Sequence, residues 1–429
     1  MKKILAFLIL IPAFSAAFDV FAQENLSTQK ITETVYIFNT LLFVTSGMIA
    51  MLAVIGFSVM ETGAVKEKNM GIIVFKNSLL LAITSLAFYL CGYNLIYQGS
   101  SNFDLFFDIS VSFPKNLVWH PNDSEAITSS DFTAGYAASA DWFFQMIFAA
   151  ITVLVVSGVI GARMKLWSII IFSIAIVAFI YPVSASWQWG GGWLRAKGFA
   201  DFAGSTLVYS LAGWCALMAT ILIGPRQKRF EEGYENLPRA NLNFTSLGVF
   251  ILWISFLAIN SGAQLALGSA ADAVSISNII VNTHLAACAG MVAALLFNLL
   301  LFGKVNLFMA LSGVLGGLVS ISADPLLPSP ESAIFIGAIG GLIVVAATLA
   351  INRLRIDDVS GIIPIFLACG IWGTLIVPFS NDKVTFDAQL TGVIATALFA
   401  VICSFIVLLI LRLTFGLKVK MEADLPNWE

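Results

Sequence analysis

Apolar residues run in blocks of roughly twenty to thirty along most of this chain, a length that predicts membrane-spanning helices. Short polar connections separate them. Eleven blocks are long enough, near 36–60, 71–98, 140–162, 166–187, 202–225, 243–262, 276–302, 305–322, 332–352, 361–379 and 386–414. A helix satisfies its own backbone in lipid, so the pattern predicts an all-α polytopic membrane protein.

The polar connections set its direction. Alternate ones carry Lys66 and Lys68; Arg163 and Lys165; Arg226, Lys228, Arg229 and Arg239; Lys304; and Arg353 and Arg355, with Lys418 and Lys420 in the tail. The opposite connections are poor in basic residues, and the longest, 99–139, holds five acids and only Lys115. The positive-inside rule predicts a multi-pass protein of the plasma (inner) membrane, N-terminus outside and C-terminus cytoplasmic. Lys2 and Lys3 before an apolar stretch, with Val20-Phe21-Ala22 as cleavage site, read as a signal peptide over 1–22. An uncleaved first helix is the alternative. A membrane domain over 23–414 and a short cytoplasmic tail over 415–429 complete the expected organisation.

Composition narrows the function classes. With 59% hydrophobic and 11% charged residues among 429, and a mean hydropathy of +0.93, the chain is more apolar than a soluble core requires. A net charge of −3 argues against nucleic-acid binding. Cys91, Cys215, Cys288, Cys369 and Cys403 all fall in apolar runs without C-x-x-C spacing, so neither a disulfide framework nor a zinc site is indicated. There is no P-loop or nucleophile elbow, so the chain does not read as an enzyme, and no cofactor or metal is expected.

Candidate chemistry concentrates in WQWGGGWLRAKGFADFAGSTLVY, residues 187–209. Ring faces attract cations and glycine permits tight turns, so the segment suits a vestibule for a polar cation. An aromatic belt with a capping Asp explains Trp187 or Trp193 well enough, but does not require Gly190-Gly191-Gly192. Asp201 reads as a helix N-cap. A second Asp echoes it: Asp201 precedes Tyr209 by eight residues in the fifth span, and Asp358 precedes Phe366 by eight in the tenth. One enters from each side, as in an inverted five-helix repeat, placing both aromatics about 12 Å inward.

The chain resembles the ammonium transporter superfamily (Amt/Mep/Rh), nearer its Amt/Mep branch. METGAVKEKN (60–69), KNSLL (76–80), FFQMIFAA (143–150), SGVIGAR (157–163), WGGGWL (189–194), DFAGSTLV (201–208), ALSGVLGGLV (310–319), RIDD (355–358) and GIWGT (370–374) carry the resemblance from first span to last. It implies the ammonium-transporter fold, with eleven transmembrane helices, a homotrimer in the lipid bilayer and one pore per subunit. Ammonium or a small amine would be recruited at an outer aromatic site and deprotonated on entering an apolar pore. Phe148 and Trp189 match the outer gate phenylalanine and the cation-binding tryptophan. A second gate phenylalanine aligns with Ile259, and the serine that accepts from bound ammonium aligns with Ala263. The two facing pore histidines align with Tyr209 and Phe366. Both are therefore replaced. The tail, GLKVKMEADLPNWE, lacks the family's acidic ending, so the resemblance does not carry over the nitrogen-regulatory signalling protein as a partner.

Two functions follow. One is transport of ammonium or ammonia by an atypical route without the histidine pair; the other is a non-conducting ammonium-binding sensor on the same scaffold, read by a separate partner. The remaining candidates have structural readings. Glu61 caps its helix or pairs with Lys66 or Lys68, and Lys76 and Asn77 satisfy backbone near the inner surface. Asp201 and Asp358 act as caps, and His284 bonds a neighbouring helix. His120 lies in an outer loop.

Overall fold

A computed structural model describes residues 32–65, 67–97, 99–105, 109–114, 118–119, 132, 135–226, 229–230 and 241–419. The expected signal peptide, His120, Lys66 and the end of the tail lie outside them. Among the described residues, nine helices are long and apolar enough to cross a membrane: α1 Thr32–Thr62, α2 Met70–Tyr97, α3 Ala138–Ile160, α4 Leu166–Ser186, α5 Ser205–Ile223, α6 Leu242–Gly262, α7 Ala270–Phe302, α9 Pro330–Arg353 and α11 Phe386–Thr414. Two shorter apolar helices, α8 Leu307–Ile321 and α10 Pro364–Phe379, fall at the two remaining apolar blocks.

One element adds to the all-α expectation. β1 Gly99–Leu105 and β2 Ile109–Pro114 pair antiparallel, with Phe103 opposite Val111 and Leu105 opposite Ile109. Apolar residues recur there at every second position, a strand period inside a connection otherwise read only for charge.

The inverted repeat is visible in matching hydrogen bonds. Just after Asp201, Phe202 donates its N–H to Ala323 O (2.8 Å) at the end of α8. Just after Asp358, Val359 donates to Val159 O (3.4 Å) at the end of α3. Helices three and eight, and five and ten, are equivalents in a five-helix repeat. Gly204 and Gly361, each three residues beyond its Asp, both take left-handed φ, +92° and +70°. A side chain would strain either position.

Small residues bring α7, α8 and α9 into main-chain contact. A Cβ at Gly313 or Gly341 would run into Gly290 O, and one at Gly317 or Gly337 into Ala286 O. Such close approach is how helices associate where apolar burial supplies little drive.

The expected pairing of Glu61 is corrected. Its carboxylate binds Lys76 Nζ (2.5 Å) and Asn77 Nδ2 (2.9 Å), on the neighbouring α2. Lys76 also donates to Gly161 O at 2.9 Å. Glu61 is fully buried, and a buried carboxylate needs a partner at its own depth, which a connection lysine does not supply. A second network joins α3, α5 and α10: Asp357 accepts from Arg226 Nη2 (2.8 Å) and Arg163 Nη1 (3.3 Å).

Candidate functional site

The first feature is an aromatic pair between α3 and the turn after α4. Phe148 of α3 and Trp189, in the turn after α4, meet edge to face with centroids 5.4 Å apart. Phe148 is buried and Trp189 half-buried. The indole is fixed by its Nε1 donating to Asp201 O at 2.9 Å. Gly190 and Gly191 are needed for this placement: a Cβ at Gly190 would strike Ile96 O, and Gly191 has φ +77°. Crowding over the end of α2 thus explains Gly190, a left-handed φ explains Gly191, and a Cβ at Gly192 would meet Ser186 O at the end of α4.

Ile259 of α6 and Ala263, which directly follows α6, are buried in the same apolar core as Phe148. Neither supplies a ring or an acceptor. A ring that the sequence reading missed stands nearby, Phe144, one turn before Phe148 and edge-on to it at 5.2 Å. It lies against α6 so closely that a Cβ at Gly262 would be 2.5 Å from its Cζ.

The second feature is at the centre. Tyr209 and Phe366 are both fully buried, and their rings meet at 5.8 Å with planes at 62°. Phe256 of α6 stacks on Tyr209 at 5.1 Å, and Phe57 of α1 packs on Phe366 at 5.5 Å. Four rings from four helices therefore fill this point. Phe256 and Phe57 were missed because nothing in their local sequence separates them from ordinary core. The Tyr209 hydroxyl makes no hydrogen bond. Ser322 lies beside it; its hydroxyl donates to Leu318 O at 2.7 Å and keeps its oxygen as an acceptor facing Tyr209.

Both aromatics sit in π-helical turns, Ser205–Ser210 and Pro364–Ala368. A π-turn leaves the usual i−4 ladder and re-aims side chains, a device common at functional sites. The Asp residues make these entrances possible. Asp201 accepts from the N–H groups of Gly204 (3.1 Å), Ser205 (2.8 Å), Thr206 (2.8 Å) and Leu207 (2.8 Å). Asp358 accepts from Gly361 (2.9 Å) and Ile363 (2.7 Å). Each carboxylate satisfies donors at a helix start and complements its dipole. Burial pushes the Asp201 carboxyl up to about 6, opposed by its four N–H bonds. Near neutral pH the donors therefore hold the ionised form.

His284 is not part of this line. It is exposed on the outside of the bundle, stacked on Trp253 of α6 at 5.2 Å, with Nε2 3.6 Å from Cys288 Sγ. The structure thus brings Phe148 to Trp189 and Tyr209 to Phe366, and leaves the one described histidine elsewhere.

A family model, Ammonium Transporter Family, matches residues 40–427. A Synechocystis sp. protein provisionally named as an ammonium transporter is 36% identical over 409 residues, covering 94% of this chain and 90% of the relative. Ammonium transporter Amt2 of Archaeoglobus fulgidus is 33% identical over 354 residues, covering 78% of this chain and 70% of the relative. Among solved structures, a protein titled Sensor Amt Protein superposes with TM-score 0.80 at 28% identity, covering 90% of this chain and 96% of that one. Candida albicans Mep2 superposes with TM-score 0.77 at 20% identity, covering 92% and 88%, a likeness of fold.

Proposed function

The chain belongs to the ammonium transporter family, and we propose that it handles ammonium by an atypical route, binding the cation outside and passing at most neutral ammonia, slowly, through each subunit. The observation that carries this reading is the Tyr209–Phe366 ring contact. An ammonium ion taken into low dielectric without partners costs many kcal/mol. It must give up its proton or stay outside. Phe366 offers only a ring face, and a phenol with an ordinary pKa of about 10 is a poor proton acceptor. No relay links the two sides of the ring cluster, so passage requires these side chains to move aside.

Trp189 and Phe148 are the outer cation site in this reading, weakened because Ile259 and Ala263 provide neither ring nor acceptor. Asp201 and Asp358 hold the two π-turns in place. The working form in this reading is a homotrimer, as membership of the family implies. It lies in the plasma (inner) membrane, N-terminus outside.

A second reading is a non-conducting sensor in which occupancy near Trp189 is read by a partner. The closed ring cluster favours it, as does the fold likeness to the structure titled Sensor Amt Protein. Ammonium flux into liposomes containing the purified full chain separates the two: slow, measurable uptake above empty liposomes supports passage, and none supports the sensor.

A further inference from the structure

Two turns outward from Phe148, α3 carries a buried carboxylate that the path above does not use. Asp141 is 6% exposed. It accepts from the Tyr93 hydroxyl at 2.5 Å and from Gln145 Nε2 at 3.3 Å. Asp141, Gln145 and Phe148 stand at i, i+4 and i+7, one helix face leading inward over about 10 Å.

Rings enclose this group. Tyr93 and Trp119 meet edge to face at 5.5 Å, and Trp119 stacks on Trp142 at 5.3 Å and 14°. Tyr181 of α4 lies beyond Phe88, at 6.5 Å ring to ring, within electrostatic reach of both Asp141 and Tyr209. Tyr93 and Tyr181 each directly follow a π-helical turn, Phe88–Gly92 and Ile176–Ile180. The two phenols are thus aimed by the same device that places Tyr209 and Phe366.

Three buried polar atoms around Asp141 lack a protein partner: the Gln145 amide oxygen, the Tyr181 hydroxyl and the Trp142 Nε1 donor. The Gln145 amide is oriented by its Nε2 bond to Asp141, which leaves Oε1 as its other end, and that oxygen has no protein partner. The Tyr181 hydroxyl is fully buried and also has none. Buried polar groups left this way call for a ligand that completes them. A carboxylate, an amide oxygen and a phenol oxygen among ring faces lack one thing, a compact cation with several N–H donors.

We propose that Asp141 and Gln145, with Tyr181 and the Tyr93–Trp119–Trp142 rings, form a second site for a monovalent ammonium-type cation, outside the Phe148–Trp189 pair. Its cation is taken from the reading above. It holds charge that Ile259 and Ala263 do not help to hold, and supplies the outer pair along α3.

Thallium(I), a monovalent cation close to ammonium in size, tests this in crystals of the full chain through its anomalous scattering. A peak about 3 Å from Asp141 and Gln145 Oε1 is expected in the wild type and in Trp189→Leu, and its loss in Asp141→Asn. Gln145→Leu, which keeps the carboxylate, should lower its occupancy at least about threefold. A wild-type structure without the peak overturns the proposal, as does a peak that survives Asp141→Asn. A peak at Trp189 alone overturns it while leaving the proposed function standing; a peak at Asp141 alone supports it and counts against the Trp189 site.

Discussion

Tyr209 and Phe366 meet edge to face at 5.8 Å, each eight residues beyond an Asp that opens its helix from the opposite side. The contact is a direct consequence of the inverted repeat. Two equivalent starts, each with an Asp, a left-handed glycine and a π-turn, run inward until their aromatic residues touch.

The cation site proposed at Trp189 has a defined weight. A desolvated cation–π contact is worth about 2 kcal/mol or more, which corresponds to more than a tenfold change in affinity. Trp189→Leu should therefore weaken methylammonium binding at least about tenfold, measured by calorimetry on the purified chain. Unchanged affinity would remove Trp189 from the site.

Asp201 holds four backbone donors that have no other acceptor in the helix start. Each buried, unpaired donor costs about 1–3 kcal/mol. Asp201→Ala should destabilise the protein by about 3 kcal/mol or more, seen as a lowered thermal midpoint in detergent. Asp201→Asn, which keeps one acceptor oxygen, should fall between. Equal midpoints for all three would show that the carboxylate does not organise the π-turn.

Glu61 and Lys76 form a buried pair between α1 and α2. Removing one partner of such a pair costs about 3–5 kcal/mol, whereas replacing both is close to neutral. Glu61→Gln and Lys76→Met should each lower the thermal midpoint strongly, and the double variant should recover most of the loss. Additive losses would mean that the two side chains act independently.

Where the ends of α3, α5 and α10 meet, burial raises the Asp357 carboxyl, but hydrogen bonds and charge from Arg226, with charge from Arg163, outweigh it. Its pKa is therefore held below the ordinary carboxylate value. A depressed pKa adds stability that is fully present above about pH 4 and is lost as pH falls through the lowered value. The stability gap between wild type and Asp357→Asn should be full at pH 6 and close on acidification below that value. A gap that persists there would contradict the assignment.

The apolar blocks made most of the fold legible, since spanning helices are long and only helices satisfy their backbone in lipid. The Asp-to-aromatic spacing likewise anticipated two equivalent helix starts. What stayed hidden depends on contacts between distant elements. The π-turns carry no sequence signature in Ser205–Ser210 or Pro364–Ala368. Glu61 was matched to nearby lysines because its real partner, Lys76, lies inside an apolar run on the next helix. Asp141 was not singled out, because its partner Tyr93 lies 48 residues away on another helix. Phe57 and Phe256 became visible only through the rings they touch.

The most direct test of the central claim is the current evoked by an ammonium pulse across liposomes containing the full chain. With the Tyr209–Phe366 contact closing the path and no relay across it, the wild type should give no rapid electrogenic response. The Tyr209→His, Phe366→His double variant should raise flux by restoring facing imidazoles. A rapid wild-type current, undiminished in Tyr209→Phe, would contradict the account and place conduction on another route.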